Sequence, residues 1–538
     1  MRSECIDILI YSPSYSRDYL STFGRIADAL ASARHNVVML IPEYKRTNFD
    51  GAKLAKVIHL SIDSDDYANL LADYSSDVFQ RQTLGIMGRV RWQRTMASLC
   101  ESVLQHKEEL ERLQSLNFQI GFSGTIDYCG MGLIRHLGIP NHIWVSDTAL
   151  NEAVAFLLGI PQPLSYVPIV EENDAGTDMK FMERVHNFYM WETSYFIHVY
   201  GGFLVTLLFR KYGNTNFPNV RDVAVDSALC LINSDEFLDF ARPVLHKTVY
   251  IGGLSNENNV SLPKVSEPTI NFIFCFSVLL PFVFDFSTII FAGFSGYHFL
   301  INIDKLDEES AKMAKYIPNV EVFEWTPQSN ILGHPHVKLF ITSGGINDIL
   351  DATMHAVPIL TIPLFRDEFR NAKMVESRGI GLSIPKQQLN YEYLKSTLKE
   401  MLDNQSESNE QLSSYKSSKG VRNETYRVNF IISLVERIEF YRFSKAAAHF
   451  SALMLNKPNK PREQLIKWTE FVAQFGSLPE LRPYGGSYRT FKYFILDVII
   501  TSLLFILLSL LSKMLIVRLL WRLSRRLRFG DDDQKKTD

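Results

Sequence analysis

The sequence predicts an α/β protein with two doubly wound parallel-sheet domains that face each other, followed by one transmembrane helix. Three observations support this prediction. Apolar, strand-like runs alternate with helical patterns in both halves of the chain, an Asn-, Ser- and Pro-rich segment separates the halves, and a long apolar run lies near the C-terminus. Because ligands of such sheets bind beyond the carboxyl ends of the strands, we expect a site between the domains.

The N-terminal half shows short apolar runs separated by helical spacing, the pattern of a parallel α/β sheet. The segment 63–114 is mainly helical in pattern, and 151–216 is mixed and predicts an insertion. The predicted strands are 6–11, 36–41, 118–122 and 142–145, and the predicted helices are 23–30 and 131–136.

The C-terminal half repeats this alternation beyond the Asn-, Ser- and Pro-rich segment 255–267. The segment 270–301 is too apolar for a surface, and three explanations stay open: a second membrane span interrupted by Pro281 and Asp285, two buried strands, or a faulty splice junction. Strands are favoured for its second half. The predicted strands further on are 320–323, 338–341 and 359–362, and the predicted helices are 347–354 and 371–378.

Composition excludes several classes of protein. The chain of 538 residues has a formal net charge of −3, which predicts no nucleic-acid partner. Its 5 cysteines are scattered without a CxxC pair, which argues against a disulfide scaffold and a cysteine zinc site but is compatible with one or two isolated bridges. No metal site is predicted.

The run 494–511 is apolar apart from Asp497, and a helix of its length would span about 27 Å, close to a membrane's hydrocarbon core. Basic residues follow, so the positive-inside rule predicts a cytosolic tail and lumenal domains. The terminal KKTD resembles a dilysine retrieval signal of the endoplasmic reticulum, and sequons at Asn259, Asn404 and Asn423 fit a glycoprotein. One feature conflicts with this topology: no N-terminal signal peptide is seen, since the first residues already predict a strand.

Chemistry-bearing residues are densest between positions 325 and 371. Trp325 and Gln328 follow a predicted strand, where an indole face can stack on uracil and an amide can pair with a base edge. Ser343, Gly344 and Gly345 lead into a helix whose free N–H groups can bind a diphosphate. Each residue alone is more often structural, but their order and spacing predict a nucleotide site.

Carboxylates complete this predicted site. Asp351 lies four residues after Asn347 on the same helix face, where it can accept hydrogen bonds from ribose hydroxyls. Asp367 and Glu368 follow another predicted strand, where they can meet the hydroxyls of a sugar. The combined pattern predicts that the ligand is a nucleotide sugar.

The segment WTPQSNILGHPHVKLFITSGGINDILDATMHAVPILTIPLFRDEFRNAKMVESRGIGLSI resembles the signature of the UDP-glycosyltransferase (UDP-glucuronosyltransferase) family. The resemblance covers most of the chain and fails mainly over 270–291. It implies a GT-B fold and inverting transfer of a hexosyl group, glucuronosyl or glucosyl, from a UDP-sugar to a small lipophilic hydroxyl acceptor. It also implies a single-pass endoplasmic-reticulum membrane protein without a cofactor or metal, compatible with homo- or hetero-oligomers of family members.

By this resemblance Trp325 and Gln328 meet uracil, Asp351 the ribose, the two glycines the diphosphate, and Asp367 with Glu368 the sugar. We expect an acceptor-binding domain over 1–254, a linker over 255–268, a UDP-sugar domain over 269–440, helices returning to the first domain over 441–490, a transmembrane helix over 491–517 and a basic cytosolic tail over 518–538.

Four positions depart from the family's pattern. Tyr19 stands where the family has its catalytic histidine, and Gly124 where it has the partner acid; a phenol with a pKa of about 10 is a poor base near neutral pH. Asp18, next to Tyr19, is expected to cap the helix instead. Ser343 replaces a histidine beside the diphosphate. Glu368 replaces a glutamine, and its added charge would disfavour glucuronate relative to a neutral hexose.

Three hypotheses therefore stay open at the level of sequence. The chain is a working hexosyltransferase, or a catalytically impaired relative that binds nucleotide or partners without efficient turnover, or the product of a defective reading frame. The retained donor residues favour the first hypothesis, and Tyr19, Gly124 and Ser343 favour the second.

Overall fold

The computed structural model describes residues 5–62, 64–75, 84–254, 271–275, 293–302, 317–323, 328–402, 442–483 and 496–534. The chain forms two compact units, Met1–Arg482 and Pro483–Asp538, which are described separately. The first unit contains two parallel sheets, and the second contains one long helix.

The first sheet lies in the N-terminal half of the first unit. Its strands are β1 (Asp7–Tyr11), β2 (Asn36–Glu43), β3 (Lys56–Ser61), β4 (Ile120–Gly124), β5 (Asn141–Ser146), β6 (Leu229–Ile232) and β7 (Thr248–Tyr250). Its helices are α1 (Arg17–Ser32), α2 (Asp66–Ser75), α3 (Ile86–Gln105), α4 (Lys107–Ser115), α5 (Cys129–His136), α6 (Glu152–Leu158), α7 (Phe181–Tyr212) and α8 (Val220–Val225).

The seven strands are parallel and lie in the order β3-β2-β1-β4-β5-β6-β7. Ile8, Leu9 and Ile10 of β1 are fully buried, as expected for a strand whose two faces are both covered. The strand order reverses between β1 and β4, which is where doubly wound sheets bind ligands. Tyr19 lies in the first turn of α1, just after the loop that follows β1, and Gly124 is the last residue of β4.

The second sheet repeats this topology. Its strands are β8 (Asn271–Cys275), β9 (Tyr297–Asn302), β10 (Val320–Phe323), β11 (Val337–Thr342), β12 (Ile359–Thr361) and β13 (Gly381–Ser383). Its helices are α9 (Gln328–Leu332), α10 (Ile346–Met354), α11 (Glu368–Ser377) and α12 (Tyr391–Leu402). The strands are parallel in the order β10-β9-β8-β11-β12-β13, so the reversal falls between β8 and β11.

The apolar segment 270–301 contributes two strands to this sheet. β9 lies in its second half, as predicted, but β8 lies in its first half and occupies a central position between β9 and β11. Ile273 of β8 is fully buried, because central strands of a parallel sheet are covered on both faces. Residues 276–292, with Pro281 and Asp285, lie outside the described residues, as do the three sequons.

Two helices follow after the gap at 403–441. A helix α13 covers residues 442–456, and its Ala447 and Met454 pack in the apolar core beside the second sheet. The next helix, α14 (Pro461–Phe475), places Leu465 and Val472 in the core of the first sheet. The chain therefore returns to the first sheet after completing the second.

Cys100 on α3 and Cys129 at the start of α5 form a disulfide bond across a sequence separation of 29 residues. Both cysteines are fully buried, and the bond ties α3, in the segment predicted to be helical, to the start of α5. This is one isolated bridge of the kind that the scattered cysteines allowed.

The second unit contains the helix α15 (Leu496–Gln534). Its part Leu496–Arg525 is long and apolar enough to cross a membrane, by length and composition, and its side chains are exposed within the unit. The helix continues without a break into the basic segment that begins at residue 518. Residues 491–495 and the terminal KKTD lie outside the described residues.

Candidate active site at the meeting of the two sheets

The carboxyl ends of the two sheets meet through a polar contact between helices α1 and α10. The guanidinium of Arg25 donates to both carboxylate oxygens of Asp351, with Nη1 to Oδ1 at 3.3 Å and Nη2 to Oδ2 at 3.0 Å. The side chains of Arg25 and Asp351 are 17% and 3% exposed. The predicted ribose carboxylate is therefore engaged by a cation of the other sheet.

Asn347, one turn before Asp351 on α10, joins the same interface. Its Nδ2 donates to Thr22 Oγ1 of α1 at 2.9 Å, and its Oδ1 accepts from Asn233 Nδ2 at 2.9 Å. Asn233 follows β6 of the first sheet, so this amide is bound from two elements of the opposite sheet. The result is a continuous hydrogen-bonded seam between α1 and α10.

Asp367 forms a second bridge between the sheets. Its Oδ2 accepts from Thr148 Oγ1 of the loop after β5 at 2.6 Å and from Asn371 Nδ2 of its own helix at 2.9 Å. Next to it, Arg366 Nη2 lies 3.8 Å from Asp147 Oδ2. The predicted sugar carboxylate thus lies directly opposite the first sheet.

The turn between β11 and α10 has the form expected of a phosphate-binding turn. Gly344 has φ of +99°, a backbone conformation that favours glycine, and Gly345 is the N-cap of α10 without a side-chain cap. The first N–H groups of α10 are consequently not capped by a side chain at that position. Ser343 and Asp348 flank the turn, and Asp348 accepts a hydrogen bond from Thr342 Oγ1.

Asp348 is a buried acid that the sequence reasoning missed. It also accepts from Gln328 Nε2 at 2.8 Å, which places Gln328 beside the start of α10. Burial, and next the negative charge of Asp18, raise the pKa of Asp348 to about 7, against the hydrogen bonds from Thr342 and Gln328 that lower it. Trp325 lies outside the described residues.

Tyr19 and Gly124 occupy complementary space. A Cβ atom built on Gly124 would lie 1.9 Å from the Tyr19 hydroxyl, so the phenol fills the volume that any side chain at position 124 needs. Tyr19 is 4% exposed, and its ring packs against Phe23 with centroids 4.7 Å apart. Burial first, and then the charge of Asp147, raise the pKa of Tyr19 well above its ordinary value. Its hydroxyl is therefore neutral and enclosed.

Tyr19 belongs to a cluster of buried tyrosines behind this position. The members of this tyrosine cluster are Tyr11, Tyr15, Tyr19, Tyr44 and Tyr67. Tyr11 and Tyr44 share a hydrogen bond of 2.9 Å between their hydroxyls, and Tyr67 donates to the backbone oxygen of Tyr15 at 2.9 Å. The cluster makes this part of the first sheet a packed core rather than an open pocket.

Asp127, the acid three residues after Gly124, forms its hydrogen bonds inside the same core. Its carboxylate accepts from the Tyr15 hydroxyl and from Cys129 N at 2.9 Å. Burial raises its pKa in spite of these hydrogen bonds, and the residue is 6% exposed. Asp127 therefore holds the start of α5.

The chain is similar to known proteins in both sequence and fold. The family model described as "UDP-glucoronosyl and UDP-glucosyl transferase" matches residues 8–278 and 305–449, which is most of the chain. The chain belongs to this family.

Individual relatives agree with the family assignment. The Caenorhabditis elegans relative ugt-50, whose name places it among the UDP-glucuronosyltransferases, is 30% identical over 485 residues, covering 87% of this chain and 86% of its own. UDP-glucuronosyltransferase 3A2 of Homo sapiens is 28% identical over 532 residues, covering 93% and 90%.

Solved structures share the fold. Glycosyltransferase VinC in complex with dTDP matches with a TM-score of 0.54 at 11% identity, over 87% of this chain and 99% of its own. Glycosyltransferase SnogD from Streptomyces nogalater matches with a TM-score of 0.52 at 13% identity, over 87% and 100%. The family member described here has the GT-B fold, as predicted.

Glu368 behaves differently from the expectation based on charge. Its carboxyl accepts from Leu364 N at 2.9 Å and Phe365 N at 3.1 Å, and hydrogen bonds to Ser343 Oγ at 2.7 Å. Burial raises the pKa of Glu368 to about 8, so the group is mostly protonated at neutral pH. This raised pKa argues against the expected repulsion of glucuronate by Glu368, because an uncharged acid resembles the glutamine that the family resemblance leads us to expect at this position.

The prediction that Asp18 caps helix α1 is wrong. The helix cap of α1 is Ser16, whose Oγ accepts from Tyr19 N at 3.1 Å, and not Asp18. Asp18 lies in the first turn with an exposed side chain. Asp18, Thr22 and Arg25 share one helix face at spacings of four and three residues, and this polar stripe is a signal that the sequence offered.

Proposed function

We propose that the chain transfers a hexosyl group, glucuronosyl or glucosyl, from a UDP-sugar to the hydroxyl of a small lipophilic acceptor, with inversion. The observation that carries the proposal is the convergence of Asn347, Asp351 and Asp367 on one seam at the carboxyl edge of the second sheet, opposite the first sheet. Family membership supplies the reaction class.

Each of these residues has a role suited to its position. The uncapped start of α10 after Gly344 offers N–H groups and positive potential to the diphosphate. Asp351 accepts hydrogen bonds from the ribose hydroxyls, while Asp367 and the protonated Glu368 bind hydroxyls of the sugar. Gln328, beside the start of α10, is suited to the uracil side of the donor site. The role of Trp325 there rests on the family resemblance alone.

The donor has to compete with contacts inside the protein. Arg25 holds Asp351 through two hydrogen bonds, and Thr148 holds Asp367 through one. Donor binding on these carboxylates replaces the seam between the sheets with contacts to nucleotide and sugar. The free energy of breaking the seam is thus subtracted from the affinity for UDP-sugar.

A second candidate function is nucleotide binding without efficient turnover. It is favoured by one specific observation, the tyrosine cluster that occupies the place of the family's catalytic histidine and acid. Under this function the donor site is retained and the transfer step is lost.

Purified full-length chain in detergent separates these functions. UDP is expected to raise the thermal unfolding midpoint, and Asp351→Asn is expected to abolish this shift. Asp66→Asn, which changes an exposed acid of helix α2, serves as the control. Release of UDP from UDP-glucose or UDP-glucuronate in the presence of 4-methylumbelliferone or 1-naphthol supports the transferase. Stabilisation by UDP with no release from any pair supports the second candidate, and no stabilisation at all refutes both.

The remaining assignments follow from the same proposal. Residues 1–254 bind the acceptor, residues 269–440 bind the UDP-sugar, and α15 anchors the chain as a single span of the endoplasmic-reticulum membrane with both sheets in the lumen. Protease protection in sealed microsomes tests the orientation, since lumenal sheets are expected to resist digestion until detergent is added.

A further inference from the structure

The proposed transfer requires a group that accepts the proton of the acceptor hydroxyl, and the two expected positions cannot supply it. The Tyr19 hydroxyl is packed onto the backbone of Gly124, and Gly124 has no side chain. Asp127 is hydrogen bonded inside the tyrosine cluster. A base therefore has to come from a residue that reaches the seam between the sheets.

Asp18 is such a residue. It precedes Tyr19 in the first turn of α1, its side chain is exposed, and its backbone oxygen accepts from Asn347 Nδ2 of the opposite sheet at 3.3 Å. Because Ser16 caps the helix, the carboxylate of Asp18 is not required as an N-cap. It lies within electrostatic range of Asp351 and Asp367, the proposed ribose and sugar ligands.

We propose, on the basis of the transferase function above, that Asp18 is the general base of this chain and replaces the family histidine from the adjacent position. The Asp18 carboxylate accepts the proton of the acceptor hydroxyl while that oxygen attacks the anomeric carbon. The bond from the anomeric carbon to the β-phosphate oxygen breaks, and its electron pair leaves with UDP. The products are the glycoside, UDP and a protonated Asp18, which returns its proton to water.

The electrostatic surroundings suit this role. The charged and titratable groups that face Asp18 come from three elements: Arg17 and Arg25 of α1, Asp348 and Asp351 of α10, and Asp367 before α11. The side chain of Asp18 is accessible at its tip but surrounded by protein, and this desolvation is the first cause that raises its pKa. The charges of Asp351 and Asp367 raise the pKa further, against Arg25 and Arg17. A carboxylate with a raised pKa is a stronger base than an ordinary aspartate, which brings it closer to the optimum near neutral pH.

Several histidine–carboxylate pairs lie in the described part of the chain, and the pair on α7 and in the segment before it is a rival candidate for the missing dyad. His198 Nε2 of α7 lies 3.4 Å from Glu171 Oε1, and Arg89 donates to the other oxygen of Glu171 at 2.6 Å. His198 is 7% exposed and packs against the ring of Tyr128. Asp18 is preferred because it is accessible and borders the donor residues directly.

The test compares Asp18→Asn with the full-length protein in detergent. The variant is expected to lower kcat by about 10²- to 10⁴-fold, the usual cost of a lost general base, while the UDP-induced thermal shift and KM for UDP-sugar change little. The acid limb of the wild-type rate profile, which is expected above the ordinary aspartate pKa, should disappear in Asp18→Asn. Asp18→Glu is expected to restore part of the rate, because it retains a carboxylate.

Glu108→Gln is the matched control, since Glu108 is an exposed acid in the first turn of α4. A kcat of Asp18→Asn within threefold of wild type overturns the assignment of the base. A loss of activity in His198→Gln, with Asp18→Asn unaffected, would assign the role to His198 instead. A wild-type chain that binds UDP but releases none from any sugar and phenol refutes the proposed transferase function itself, and with it the base.

Discussion

The Tyr19 hydroxyl lies 1.9 Å from the point where a Cβ atom on Gly124 would stand. The two residues predicted to depart from the family's catalytic pair are therefore sterically linked, because the larger residue at position 19 requires the absence of a side chain at position 124. Neither position can be reverted alone without a steric conflict or a cavity.

This relationship predicts strong coupling in a double-mutant cycle. Gly124→Ala is expected to destabilise the protein by about 1–3 kcal/mol, the usual cost of overpacking, because the new methyl group meets the Tyr19 hydroxyl. The same change in a Tyr19→His background is expected to cost much less, since the shorter ring leaves the space free. Thermal unfolding midpoints measure the cycle. Gly176→Ala, where an added Cβ meets nothing within 4 Å, is the control. Additive effects would contradict the complementarity.

Removal of the Arg25 side chain should lower the stability of the protein without ligand and raise its affinity for UDP. Arg25→Ala leaves the 3%-exposed Asp351 carboxylate without its cation, so the apo protein is expected to lose about 3 kcal/mol of stability. UDP should bind about tenfold more tightly, because its ribose no longer displaces the guanidinium. Calorimetric titration with UDP measures the affinity. Arg112→Ala, which breaks an exposed ion pair, is the control variant for both stability and affinity. Weaker UDP binding in Arg25→Ala would show that Arg25 is itself a ligand of the nucleotide.

Glu368 should make stability depend on pH in a defined direction. Its pKa in the folded protein is about 8 against a reference value of 4.5, so folding favours the protonated acid. This contribution to stability is complete below the reference pKa and is lost as pH rises through about 8. Glu368→Gln is therefore expected to unfold at a higher temperature than wild type at pH 8.5, with a difference that shrinks at pH 6.

The same variant tests the choice of donor. At pH 6.5 both an amide and a protonated acid are neutral, so Glu368→Gln should leave the ratio of UDP-glucose to UDP-glucuronate turnover nearly unchanged. A clear shift towards glucuronate in Glu368→Gln would instead show that Glu368 is charged in the active protein.

The disulfide bond should be a major contributor to the stability of the first sheet. Cys100→Ala combined with Cys129→Ala is expected to cost about 2–4 kcal/mol, because the bond closes a loop and both sulfur atoms are buried in the core. Cys5→Ser, which changes an exposed free cysteine, is the control. An unfolding midpoint that is insensitive to the loss of the bond would show that α3 and α5 are held together by packing alone.

Much of the architecture was readable from local patterns. Apolar runs predicted β1, β2, β5 and β11 to within a few residues, because the periodicity of buried strands and helices is local. The strand β8 was left undecided among three explanations, since its residues belong to an apolar segment in which length and hydropathy do not separate a strand from a membrane span.

Residue types at short spacings were enough to predict the family, the doubly wound sheets, an apolar C-terminal helix and the carboxylates of the candidate donor site. The fold was needed to show that Arg25 meets Asp351, that Tyr19 fills the space above Gly124 and that burial raises the pKa of Glu368. Ion pairing, the filling of space between side chains and the desolvation of a buried acid depend on residues that are far apart in the chain. A local sequence pattern therefore does not predict them.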